Sequence, residues 1–125
     1  MTRTSEFEEI ASKATIKDGV KKMTYDQLVK LRNAGKKYIL FDVLQSDSYS
    51  NGHIEGAISF PLDIINKVNA KNKIPQDSNF VVYCASFKCP ASTVAAKKLS
   101  ELGYSVLDYK GGLQEWQEKG NGLVK

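Results

Sequence analysis

Residues 80–92 have the sequence FVVYCASFKCPAS, and the rest of the 125-residue chain is organised around this stretch. Four consecutive apolar or aromatic residues, 80–83, predict a β-strand that is covered on both faces. Pro90 favours the first turn of a helix, because the N–H group that proline lacks would have no partner there. A strand, a short loop and a helix therefore follow one another, with Cys84 where the strand ends and Cys89 where the loop ends.

The helix after this loop is expected to bind an anion at its start. Its apolar residues recur at helical spacing until Gly103, a natural stop; they are Ala91, Val94, Ala95, Leu99 and Leu102. We expect the free N–H groups of the helix and loop to point toward the Cys84 sulfur. With Lys88 nearby, they would lower the pKa of Cys84 below the value of about 8.5 for a free cysteine. The alternative is that Cys84 is a small buried packing residue.

Composition indicates one globular domain, since 42% of the residues are hydrophobic and 26% are charged. The formal net charge is +4, and the lysines are scattered along the chain. This mild positive charge suits a small anionic ligand and argues against nucleic acid as a partner.

The first 14 residues are mostly polar and charged, which predicts neither a signal peptide nor a membrane span, and we expect a cytoplasmic protein. In a reducing compartment, two cysteines are expected to be reactive or inert thiols rather than a structural disulfide. A metal site is not expected, because Cys84 and Cys89 lack a second Cys or His pair nearby.

Several further elements can be predicted along the chain. Thr24 and Gln27 fit a capping box at the start of a helix over residues 25–33, which Gly35 would end. Residues 38–43 are nearly all apolar, as in a central parallel strand, and Asp42 is the unusual residue in it. The other expected elements are strands at 20–23, 57–60 and 104–109, helices at 4–14, at 62–68 and from 113 on, a polar loop after residue 43, and a turn at 74–77.

Strands that alternate with helices predict an α/β domain with a central, mostly parallel sheet. Working sites in such sheets lie at the carboxyl ends of the strands, which is where Cys84 falls. His53, the only histidine, lies between Gly52 and Gly56 in a tight turn. It is either a catalytic base or a residue that holds backbone groups, and the glycine-rich turn favours the second interpretation.

Three segments resemble rhodanese-like domains, in the order and spacing of that family. Asp42-Val43, Tyr49 and the run from Gly52 to Ala57 resemble the family's N-terminal signature. Cys84 after a buried strand matches the catalytic cysteine, and Gly111-Gly112 followed by Trp116 matches a C-terminal signature. The resemblance covers residues 24–120 and implies a three-layer α/β domain over residues 20–125, with residues 1–19 as an N-terminal extension.

The resemblance implies a sulfurtransferase without a cofactor. The Cys84 thiolate would attack a small anionic sulfur donor such as thiosulfate, a polysulfide or a persulfide. The resulting Cys84 persulfide would pass its sulfur to cyanide, a thiol or a protein acceptor. The donor would be bound by the loop residues Ala85, Ser86, Phe87, Lys88 and Cys89. No membrane partner is expected, and the protein would be a monomer or a homodimer.

The sequence departs from the family pattern in the cysteine loop and directly after Asp42-Val43. Cys89 stands where many active members have an arginine, and Leu44 replaces an arginine often found after Asp-Val. Without these cations a thiosulfate donor is less suitable than a polysulfide or a persulfide. Cys89 is either a resolving thiol that attacks the Cys84 persulfide or a packing residue.

Three other functions stay open. The related dual-specificity phosphatases need an arginine where this chain has Pro90, which argues against phosphatase activity. A non-catalytic persulfide carrier or a regulatory binding module is the main alternative. The cysteine at position 84 argues against an inactive domain, because inactive relatives often lose it. A thiol redox sensor is the third, because Cys84 and Cys89 could oxidise together.

Overall fold

The structure is a computed structural model that describes residues 6–34, 38–75 and 78–125. A central sheet lies within these residues. The strands are β1 (Ile16–Lys17), β2 (Val20–Met23), β3 (Ile39–Asp42), β4 (Ile58–Ser59), β5 (Phe80–Tyr83) and β6 (Val106–Tyr109). The helices are α1 (Glu6–Lys13), α2 (Tyr25–Asn33), α3 (Ser46–Asn51), α4 (Lys67–Lys73), α5 (Ala91–Glu101), α6 (Gly112–Glu118) and a 3-10 helix (Leu62–Ile64).

The described strands form one sheet in the order β1-β2-β6-β5-β3-β4. All neighbouring pairs are parallel except β1 and β2. The pairing of Phe80 with both Ile39 and Val106 places β5 between β3 and β6, and all four residues of β5 are buried. The predicted doubly covered strand and mostly parallel sheet are therefore confirmed. Cys84 follows the carboxyl end of β5 directly.

Buried side chains form a cluster on each face of this sheet, as the three-layer prediction requires. Val82, Phe80 and Leu99 belong to one cluster, which includes side chains of α4 and α5. Val81, Leu31 and Trp116 belong to the other, which includes side chains of α1, α2 and α6. Alternate residues of one strand thus reach opposite layers.

The capping box predicted at the start of α2 is present. The Thr24 hydroxyl accepts a hydrogen bond of 3.2 Å from the backbone N–H of Gln27, whose side chain accepts one of 2.9 Å from the backbone N–H of Thr24. These two bonds satisfy N–H groups that the helix itself leaves unpaired. Gly35, which we expected to end α2, lies outside the described residues, as do residues 76 and 77 of the predicted turn.

The N-terminal segment packs on the sheet. Phe7 and Ile10 on α1 are buried in the cluster that contains Leu31, and β1 pairs with β2. A division between residues 1–19 and 20–125 stays a prediction. None of the helices in the described ranges is long and apolar enough to cross a bilayer.

Two of the predicted local structures are wrong. The polar loop expected after residue 43 contains α3, a helix with no buried residue, so its sequence SDSYSN has no apolar periodicity to reveal it. The helix expected over 62–68 is divided into the 3-10 helix and α4. Asn66 starts α4 by accepting a hydrogen bond of 2.8 Å from the backbone N–H of Asn69.

Candidate active site

Cys84 is completely buried at the carboxyl end of β5. Its thiol lies 3.3 Å from the carbonyl oxygen of Cys89 and 3.9 Å from that of Ser86, and it donates to both. The backbone N–H of Ser92, in the first turn of α5, interacts with the same sulfur. We expected N–H groups of both the helix and the loop to face the Cys84 sulfur. The N–H of Ser92, in the helix, does so, but the loop directs carbonyl oxygens toward this sulfur.

The pKa of Cys84 is therefore raised, and our expectation of a lowered value is wrong for the free thiol. Burial raises this pKa most, and the hydrogen bond to the Cys89 side chain raises it further. The hydroxyl and backbone N–H of Ser92 oppose these effects without outweighing them. A buried thiol that faces carbonyl oxygens keeps its proton.

Cys89 has the opposite environment, because it is only partly buried and faces donors. Burial alone would raise its pKa. Hydrogen bonds from the Cys84 thiol and from the backbone N–H groups of Ala85 and Ala91, together with the charge of Lys110, outweigh this effect and lower the pKa. One amide of the loop, that of Ala85, and one at the start of α5, that of Ala91, thus favour the thiolate at Cys89.

The cation beside the cysteine loop is Lys110 rather than Lys88. The Lys110 ammonium group donates a hydrogen bond to the carbonyl oxygen of Cys89. Lys88 is exposed, and its backbone N–H donates to the Ser86 hydroxyl at 3.3 Å. Lys110 follows β6 directly, so its position at the same sheet edge as Cys84 was the signal that could have identified it.

Ser92 is a second residue that sequence reasoning missed. Its hydroxyl is buried, faces the Cys84 sulfur, and has no other hydrogen-bond partner among the described residues. A buried hydroxyl without a partner is uncommon, because it loses hydrogen bonds to water without replacement. This hydroxyl is available to donate to an additional atom on Cys84.

The first turn of α6 holds the cysteine loop in place. The backbone N–H of Leu113 donates to the carbonyl oxygen of Cys84 at 3.0 Å, and that of Gln114 donates to Ala85 at 2.8 Å. Gly112 has a φ of +62°, and a Cβ atom there would overlap the carbonyl oxygen of Cys84. The predicted close backbone approach at this glycine pair is confirmed.

A buried polar network fixes the first turn of α5 to the sheet. The Lys22 ammonium group donates to Asp108 at 2.7 Å and to the Thr93 hydroxyl at 2.9 Å, and Thr93 donates to the same Asp108 oxygen at 2.8 Å. Asp108 is completely buried on β6. Because Thr93 follows Ser92, this network also fixes the residue that faces Cys84.

Asp42 and Tyr83 connect the two signature segments. The Tyr83 hydroxyl donates to Asp42 at 2.9 Å and accepts from the backbone N–H of Ile54 at 3.1 Å, and the other Asp42 oxygen accepts from Leu44 at 2.9 Å. Burial raises the pKa of Asp42, although the hydrogen bonds from Leu44 and Tyr83 oppose this effect. The unusual carboxylate in β3 is thus a structural connector.

His53 holds backbone groups, as the preferred interpretation predicted. Its Nδ1 lies 2.9 Å from the carbonyl oxygen of Tyr49, and its ring stacks on the Tyr49 ring with centroids 3.8 Å apart. Its backbone pairs with Val124 through two hydrogen bonds. Every ring contact that the structure describes for His53 is with its own segment.

A groove of about 450 Å³ lies beside the loop, between it and the N-terminal strands. Phe87, which is 59% exposed, and Lys110 line it on the loop side, and Lys17 and Lys22 line it on the other. Glu115 and Asp18 also line it, so its charge is mixed with an excess of lysines. Its volume is that of a small-molecule site. Among the described residues, no three His, Cys, Asp or Glu side chains are grouped to hold a metal ion.

Comparison with known proteins identifies the family. The family model described as "Rhodanese-like domain" matches residues 24–119, which is most of the chain and includes Cys84, Cys89, Ser92 and Lys110. The chain therefore belongs to the rhodanese-like domain family.

Relatives and solved structures agree with this assignment. A Shewanella oneidensis protein described as thiosulfate sulfurtransferase GlpE is 32% identical over 99 residues, which cover 78% of this chain and 93% of that protein. A Mycobacterium tuberculosis protein described as probable adenylyltransferase/sulfurtransferase MoeZ is 32% identical over 70% of this chain, but the match spans only 22% of that protein. A rhodanese-related protein from Thermoplasma volcanium has a TM-score of 0.66 and 28% identity, with 82% of this chain and 96% of that chain covered.

Proposed function

We propose that this protein is a sulfurtransferase that holds a sulfane sulfur as a persulfide on Cys84. The observation that supports it most is the position of Cys84, between the end of β5 and the first turn of α5. The Ser92 hydroxyl faces its sulfur and has no other hydrogen-bond partner among the described residues. A persulfide adds one sulfur atom with a negative charge to that thiol. The start of α5 and the Ser92 hydroxyl are donors suited to that charge.

The reaction has two displacement steps. A protein thiolate attacks the outer sulfur of a persulfide R–S–SH; the new S–S bond forms as the old one breaks, and R–S⁻ leaves. In the second step cyanide or an acceptor thiolate attacks the outer sulfur of the protein persulfide, and the protein thiolate is the leaving group. Electrons balance within each exchange, so no cofactor is required.

The donor that suits this site is a polysulfide or a persulfide rather than thiosulfate. The loop position where many family members have an arginine is Cys89, and the nearby cation, Lys110, donates to backbone. A lysine is a single point charge, whereas the sulfonate of thiosulfate is best bound by a guanidinium fork. The groove beside Phe87 and Lys110, with the loop residues 85–89, is our candidate donor site.

A non-catalytic persulfide carrier is the second candidate, and the complete burial of Cys84 favours it. A buried thiol with a raised pKa would exchange slowly with small molecules in solution. A partner protein that rearranges the loop would then be needed. The cytoplasmic location and the monomeric or homodimeric state stay predictions.

Steady-state kinetics test the proposal. Thiocyanate formation is measured with cyanide and with thiosulfate, polysulfide or glutathione persulfide, and the Cys84→Ser/Cys89→Ser double variant provides the background. We expect parallel double-reciprocal lines, and a larger kcat/KM with polysulfide or persulfide than with thiosulfate. A single stoichiometric turnover would favour the carrier. Rates equal to those of the double variant with every donor would contradict sulfur transfer.

A further inference from the structure

We propose that Cys89 is the thiol that first takes the sulfur from a donor, and that Cys84 receives the sulfur from Cys89. This inference rests on the proposed function and deepens it, because it divides the reaction between an outer and an inner thiol. Three observations support it: access to the two sulfurs, the groups that face them, and the contact between them.

Access differs between the two thiols. Cys84 is completely buried, whereas Cys89 packs against the core with part of its surface exposed, and its carbonyl oxygen accepts from Lys110, which lines the groove. Displacement at a disulfide-type sulfur requires the nucleophile to reach the outer sulfur in line with the bond that breaks. We therefore expect a donor in solution to reach Cys89 more readily than the completely buried Cys84.

The surrounding groups make Cys89 the better nucleophile. Backbone N–H groups of Ala85 and Ala91 point to its sulfur, and Lys110 is close enough to act on its charge. The Cys84 thiol instead donates to the carbonyl oxygens of Ser86 and Cys89. Because the thiolate is the attacking species, the first displacement is faster at Cys89.

The contact between the thiols provides the second step. The Cys84 sulfur lies 3.3 Å from the carbonyl oxygen of Cys89, and each of the two side chains shifts the pKa of the other. After loading, the Cys84 sulfur attacks the outer sulfur on Cys89, and the S–S bond to Cys89 breaks. The proton of the Cys84 thiol passes to the Cys89 sulfur, which leaves a Cys84 persulfide anion and a Cys89 thiol. No oxidant or reductant enters this exchange.

Ser92 gives the transferred sulfur a reason to stay on Cys84. Its buried hydroxyl and its backbone N–H face the inner thiol, where the persulfide charge would lie. In a Cys84 persulfide the charge lies on the outer sulfur, one bond beyond the thiol sulfur, where these two donors can bind it. The sulfur is thus expected to move inward after loading.

Rapid mixing with glutathione persulfide, followed by an alkylating quench and peptide mass spectrometry, tests this order. We expect sulfur on Cys89 at the earliest times and on Cys84 later. In Cys84→Ser the sulfur should stay on Cys89, and in Cys89→Ser and Cys89→Ala loading should be at least about tenfold slower than in the wild type. Unfolding midpoints within about 3 °C of the wild type identify the folded variants.

Two results would overturn the inference. One is loading of Cys84 in both folded Cys89 variants at the wild-type rate, and the other is sulfur on Cys84 before Cys89 in the wild type. Either would leave the proposed function intact. Failure of the wild type to gain sulfur on any cysteine would instead overturn the proposed function together with this inference.

Discussion

The Cys84 sulfur lies 3.3 Å from the carbonyl oxygen of Cys89, so the inner thiol directs its proton toward the backbone of the outer one. Burial and this environment raise the pKa of Cys84, whereas the N–H groups of Ala85 and Ala91 and the charge of Lys110 help to lower that of Cys89. The difference in reactivity between the two cysteines follows from this arrangement, and it can be measured without any sulfur donor.

The first prediction concerns the order of alkylation. Because the pKa of Cys89 is lowered and that of Cys84 is raised, Cys89 should react first with iodoacetamide as the pH increases. The alkylation rate of Cys89 should reach half of its maximum at a pH below the ordinary cysteine pKa of about 8.5. The rate of Cys84 should reach half of its maximum above that pH. Peptide mapping over a pH series gives both curves. In denaturant the two cysteines should react alike, and faster reaction of Cys84 in the folded protein would contradict this prediction.

The second prediction concerns the cation beside the loop. Lys110→Gln should slow alkylation of Cys89 at neutral pH by about two- to fivefold, since a partly exposed charge pair contributes up to about 1 kcal/mol. The effect should diminish at high salt, because ions screen the charge. Lys88→Gln is the matched control, because Lys88 is on the same loop but is not among the groups that act on Cys89. Equal slowing by both substitutions would assign the effect to general charge.

The third prediction concerns Gly112. Gly112→Ala should lower the free energy of unfolding by more than about 3 kcal/mol, because the new methyl group would overlap the Cys84 carbonyl oxygen in addition to straining a φ of +62°. Gly120→Ala is the control, since Gly120 has a φ of +95° and open space around its Cα. It should lose only about 1–2 kcal/mol, the strain of a left-handed backbone. Equal losses in urea unfolding would show that contact with Cys84 is unimportant.

The fourth prediction concerns the buried network at the start of α5. Lys22→Met would leave the Asp108 carboxylate buried without its cation and should destabilise the protein by about 3–5 kcal/mol. Lys21→Met, at the exposed neighbouring residue, should change stability by less than about 0.5 kcal/mol. Urea unfolding of the two variants provides the comparison. A change below about 1 kcal/mol in Lys22→Met would mean that the ion pair does not hold α5 in place.

The sequence predicts much of this structure where the signal is local. The apolar run 80–83, the Thr24 and Gln27 pair and the Gly111-Gly112 pair each occupy the place expected of them. The polar helix α3 could not be predicted, because none of its residues is buried.

The chemistry of the site was less predictable, because it depends on side-chain direction and on distant residues. The order of the two thiol pKa values depends on whether the loop directs amides or carbonyls at each sulfur, and both orientations fit the same residues. Lys110 is 21 residues from Cys89, so only the pairing of β5 with β6 brings it to the loop.

Intact mass spectrometry tests sulfur transfer by this chain most directly. The wild type is treated with polysulfide or glutathione persulfide, desalted, weighed, and weighed again after cyanide is added. Our account predicts a gain equal to one sulfur atom that disappears with cyanide, and no such gain in the folded Cys84→Ser/Cys89→Ser double variant. A wild type that keeps its unmodified mass with both donors would contradict it.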